Sequence, residues 1–91
     1  MEADRTNTWG LEFMKIDLQE NKIESILGLN MGTEEYTRSV FNKIKNEFAE
    51  NKGDPEVVID LLDESDDIIE DFSVTAAQAL TIASLLGYPI K

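Results

Sequence analysis

Residues 55–72 read PEVVIDLLDESDDIIEDF, and how that stretch folds decides the architecture of the whole 91-residue chain. A helix opened here either stops at the acidic run 63–67 or continues through it to Phe72. With Glu56 at zero on a helical wheel, Asp60, Asp63, Glu64, Asp67, Glu70 and Asp71 fall between about 320° and 80°. Val57, Val58, Leu61, Leu62, Ile68, Ile69 and Phe72 fall between about 100° and 240°, on the opposite side. The two sets keep phase across the acidic run, so the pattern predicts one helix over 55–72 with a continuous acidic face. Gly53-Asp54-Pro55-Glu56 supplies its start, as a C′ glycine, an N-cap, a proline at the first helical position and an acid in the first turn.

Downstream, residues 72–90 (FSVTAAQALTIASLLGYPI) carry no charge, although 30% of the chain is charged. Thr75, Gln78, Thr81 and Ser84 recur every third residue as one narrow polar stripe, which could seat a close helix–helix seam. Val74, Ala76, Ala77, Ala79, Leu80, Ile82, Ala83, Leu85 and Leu86 cover most of the rest. A helix apolar nearly all round is a buried one, so 74–86 is predicted to lie at the centre of the fold. Ser73 or Thr75 caps it, and Thr75 to Gln78 has capping-box form.

Upstream, Thr33 is a good N-cap for a helix over 34–51 that places Tyr36, Val40, Phe41, Ile44 and Phe48 on one face. Arg38, Lys45 and Lys52 share a second flank of that helix. Gly28 to Gly32 is a break. Before it, Trp9, Leu11 and Phe13 alternate as in a strand, but Met14 interrupts the alternation. A helix over 10–28 instead gathers Trp9, Phe13, Ile16, Ile23 and Leu27, and Asp17 with Glu20 resembles a capping box. A lone strand would find no partner elsewhere, which favours the helix. The aromatic start is then a lid on the core, or an exposed anchor for a partner. The predicted fold is all-α: a compact three- or four-helix bundle around a central apolar C-terminal helix, with a flexible segment 1–8 and a single helical domain 9–91.

Net charge is −11, from 8 basic and 19 acidic residues. Nine of the acids lie between Asp54 and Asp71, and residues 53–90 contain no base. So acidic a chain repels nucleic acid and anionic membranes, which excludes direct nucleic-acid binding. There is no cysteine and no histidine, which removes thiolate chemistry, zinc–thiolate sites and the commonest general base. Glu56, Asp60, Asp63 and Asp67 could in principle chelate a divalent cation, but the calcium-loop spacing and its bending glycine are missing. No metal, no cofactor and no enzymatic activity are expected. The first residues lack the basic-then-apolar order of a signal peptide, and a cytoplasmic location is expected.

Like-charge pairs four apart on a helix, such as Asp60–Glu64 and Asp63–Asp67, each cost about 0.2–0.5 kcal/mol. A tolerated penalty of that kind points to a working surface. The sequence therefore predicts a non-enzymatic module that regulates or inhibits a basic protein through Glu56, Asp60, Asp63, Glu64, Asp67, Glu70 and Asp71. A nucleic-acid-binding protein, engaged by nucleic-acid mimicry, is the sharper version. The alternative is an assembly subunit that self-associates through the apolar 72–90 helix.

Overall fold

The structure, a computed structural model, describes residues 8–17, 19–48, 53 and 55–88. The expected flexible start at 1–8 and the ends of two expected helices, at 49–51 and beyond 88, lie largely or wholly outside those residues. In chain order the elements are β1 (Trp9–Asp17), β2 (Lys22–Gly32), α1 (Glu34–Phe48), β3 (Val57–Leu62), β4 (Ile68–Val74) and α2 (Ala76–Leu85). They form a four-stranded sheet in the order β2-β1-β3-β4 with every neighbouring pair antiparallel. β2 and β3 therefore run parallel on either side of β1, and α1 lies between them in the chain. The helical bundle is overturned, because strands stand where helices were expected over 10–28 and 55–72.

The decisive stretch is a hairpin. Its first half, VVIDLL, is rich in β-branched residues and alternates, with Val57, Ile59 and Leu61 turned to one face. The acidic run is turn chemistry rather than a helix face. The Asp63 carboxylate oxygen Oδ1 accepts from the Ser65 N–H at 2.8 Å and the Asp67 N–H at 3.0 Å. The Asp63 N–H donates to the Asp67 carbonyl at 3.1 Å, and Asp66 sits in the left-handed region at φ 64°. Aspartate tolerates that conformation and bonds its own backbone readily. Two short apolar runs separated by five residues can match a helical period and a strand period equally, and here the turn-forming residues decide.

Once 57–62 is a strand, the objection to a strand at Trp9 disappears, because β1 pairs with both β2 and β3. Met14 does not break the alternation. It points to the opposite face, where it is half-buried. Gly28 lies inside β2 rather than at a helix end, and the Asp17 carboxylate accepts the Glu20 N–H at 3.0 Å within the hairpin turn.

The helices that do form start where the sequence places them. Thr33 Oγ1 accepts the Tyr36 N–H at 3.2 Å, and Thr75 with Gln78 makes the capping box of α2. α2 is not central, however. It buries Ala79, Ile82 and Ala83, while Leu80 is 49% and Leu85 66% exposed. Tyr36, expected to face the core, is exposed. Phe41 and Ile44 of α1 join those three α2 residues in one buried cluster with Leu11, Phe13, Ile59, Leu61, Phe72 and Val74. Phe41 meets Phe72 edge-on, with ring centroids 5.3 Å apart. Both helices thus cover the same face of the sheet, and their packing is the main source of stability. No described helix is long and apolar enough to cross a membrane.

Candidate interaction face

Antiparallel register sorts the strand residues into rows across the sheet, and alternate rows face opposite sides. Leu11–Leu61, Phe13–Ile59–Phe72 and Val57–Val74 face the helices. The rows between them, Gly10–Leu62–Ile68, Glu12–Asp60–Asp71 and Met14–Val58–Ser73, face away, where no described helix packs. Among the described residues this face, bare of helices, is an acidic row set between two largely apolar ones.

The acidic row holds three carboxylates from three adjacent strands. Residues directly opposite across an antiparallel pair have Cβ atoms about 4.5–5.5 Å apart, and like charges placed so are destabilising. Asp60, in the middle, is only 5% exposed. Among the described residues nothing hydrogen-bonds or ion-pairs with its carboxylate, whose oxygens keep contact with solvent. Burial, and then the neighbouring charges of Asp71 and Glu12, push its pKa up to about 6. Glu12 is steadied from the other side, its Oε2 accepting the Ser25 hydroxyl at 2.7 Å.

On β2 the residue opposite Glu12 is Gly28, and a Cβ added there would meet nothing within 4 Å. A hollow of about 200 Å³ opens at this end of the row, lined by Leu11, Glu12, Gly28, Leu62 and Asp66. A larger hollow of about 330 Å³ lies between strand residues Ile16 and Ile26 and α2 residues Ala79 and Leu80. It is mostly apolar, with Lys15 and Glu56 as its charged lining residues, and Glu56 is engaged in capping α2.

The seven acids expected to share one helix face are dispersed. Asp60 and Asp71 come together in the row. Asp63, Glu64 and Asp67 belong to the hairpin turn. Glu56 caps α2, its Oε1 accepting the Ala76 N–H at 3.0 Å. Glu70 stands on the helix-facing side of β4 and ion-pairs with Lys45 of α1. Among the described residues no group of three or more acids is placed to hold a metal ion, so Glu56, Asp60, Asp63 and Asp67 do not form a chelate. Sequence reasoning missed Glu12. The signal was there in the Trp9–Leu11–Phe13 alternation, which puts Glu12 opposite the buried residues.

The aromatic start is core rather than anchor at Phe13, which is fully buried, while the Arg38 guanidinium lies 5.1 Å from the centre of the Trp9 ring. In the polar stripe of α2, Thr75 and Gln78 are engaged in the cap while Thr81 and Ser84 are exposed. No protein-family model, curated protein or solved structure matches this chain.

Proposed function

We propose that the chain is a non-enzymatic binding module that regulates or inhibits a basic protein, engaged through the bare face of the sheet. The observation that carries this reading is Asp60, a residue only 5% exposed and set between two other carboxylates, on a face with no described helix over it and no basic residue among the described residues of its rows. Such a row is a standing electrostatic cost in the free protein, and a basic surface relieves it. The flanking Met14, Val58, Leu62 and Ile68 add the apolar area that a protein interface uses at its centre. A nucleic-acid-binding protein has the required charge. The absence of histidine and cysteine agrees with a role without catalysis.

The test is capture of partners by the native chain and by the triple variant Glu12→Gln, Asp60→Asn, Asp71→Asn at low and high salt. The native chain is expected to hold a basic protein at low salt and release it at high salt. A triple variant that still holds the same protein overturns the reading.

A second reading is self-association through the 72–90 segment, which the exposure of Leu80, Leu85 and Tyr88 favours. A dimer mass in light scattering that is insensitive to salt and is lost on Leu80→Lys with Leu85→Lys supports it. A monomer at all salt concentrations removes it.

A further inference from the structure

Resting on the reading above, we propose that the Glu12–Asp60–Asp71 row and the hollow beside it form a receiving site for one arginine side chain of the partner. The aliphatic stem lies in the hollow against Leu62 and the bare backbone of Gly28, and the guanidinium bridges the carboxylates.

Three observations select a guanidinium over other cations. The carboxylates come from three separate strands, about 4.8 Å apart from one strand to the next. They do not converge on a point, as a metal ion requires. A lysine ammonium is likewise a compact point charge, whereas a guanidinium is a plane with five donors that can bond to separated acceptors at once. The third observation is the lining of the hollow, in which Leu11 and Leu62 stand beside Glu12 and Asp66. A largely polar, acidic hollow with two leucines in its wall suits a side chain with a cationic head and an aliphatic stem. Asp60 is the key group, because the residue is only 5% exposed and its carboxylate, still touching solvent, has no partner among the described residues.

The site also has a built-in pH dependence. The titratable groups facing Asp60 are Glu12 from β1 and Asp71 from β4, with Ser25 of β2 bonded to Glu12. Among the described residues no lysine or arginine stands in these rows. In the free chain Asp60 titrates at about pH 6. A bound guanidinium favours the ionised form and lowers that value, so binding expels the proton and strengthens as pH rises through about 6.

The experiment is a nuclear magnetic resonance titration of the full chain with N-acetylarginine amide, compared with N-acetyllysine amide and with calcium and magnesium. Saturable shifts centred on Glu12, Gly28, Asp60 and Asp71 are expected with the arginine compound. They should be lost in Asp60→Asn, whose dispersed spectrum reports that it remains folded. Affinity should fall about tenfold between pH 7 and pH 5. Absence of saturation, equal binding by Asp60→Asn, or pH-independent affinity overturns the proposal. So does lysine amide binding as well as arginine amide, and a stoichiometric calcium or magnesium response at these residues makes the row a metal site instead. If the triple variant loses its partner while arginine amide fails to bind, the interface stands and the arginine site falls. If the triple variant keeps its partner, the interface itself is misplaced.

Discussion

Asp60 of β3 and Asp71 of β4 stand directly opposite each other across the strand pair, the first almost wholly buried and neither hydrogen-bonded to the other. Asp60 titrates at about 6 in the folded chain, above the ~4 of an unfolded aspartate. The folded state therefore holds this proton more tightly. Its contribution to stability is fully present below about pH 4 and is lost as pH rises through about 6. Asp60→Asn is expected to gain on the order of 1 kcal/mol at pH 7 and nothing at pH 4, since the amide keeps the shape and sheds the charge. Melting curves of both proteins across that window check this. A variant less stable than the native chain at pH 7 refutes it.

Asp63 separates the hairpin from a helix. In a helix, Asp63→Ala would remove a like-charge neighbour of Asp67 and stabilise slightly. In the hairpin it deprives two backbone N–H groups of their acceptor, with an expected loss of about 1–2 kcal/mol. Glu64→Ala, at an exposed turn position, should stay within about 0.5 kcal/mol of the native chain. Denaturant unfolding of the two variants is the measurement, and equal effects contradict the turn.

On α2, Ile82 is fully buried whereas Leu80 is half-exposed. Ile82→Asp places an unpaired carboxylate in the core, at a cost of several kcal/mol, and is expected to unfold so small a domain. Leu80→Asp should remain folded and lose about 1 kcal/mol or less. A Leu80→Asp protein without a cooperative melt would restore the buried central helix that the sequence suggested.

Two glycines in the sheet should respond oppositely. A Cβ on Gly10 would come within 2.2 Å of the Leu29 carbonyl oxygen, a backbone atom that cannot move aside cheaply. Gly10→Ala is expected to cost more than about 2 kcal/mol. Gly28→Ala, with open space around the added carbon, should be neutral or slightly stabilising. Thermal melts distinguish them, and a tolerated Gly10→Ala would mean that β1 and β2 pack differently at this point.

The legible part of the fold was its punctuation. Thr33, and Thr75 with Gln78, start helices where their side chains can satisfy free N–H groups, a purely local requirement that sequence displays. The charge excess and its concentration in 54–71 were equally plain. What misled was a coincidence of period. Val57-Val58, Leu61-Leu62 and Ile68-Ile69 fall on one side of a wheel, yet β3 is apolar on both sides because its second face is partly buried too. The row of Glu12 with Asp60 and Asp71 could not be seen along the chain. Its members lie 48 and 11 residues apart, and only the pairing of β1 with β3 and β3 with β4 brings them together.

The position of β1 between β2 and β3 has a consequence for biosynthesis. β1 and β2 can pair as a local hairpin once residue 32 has left the ribosome, but the strand that covers the other edge of β1 starts only at Val57. Until then the nascent hairpin presents an unpaired edge with Leu11 and Phe13 bare beside it, a surface on which another chain can pair. The interval between the emergence of Gly32 and that of Leu62 is thus the window in which this hairpin edge is open to misassembly. Slow codons within α1 would widen that window, and a chaperone that shields extended apolar edges would act there.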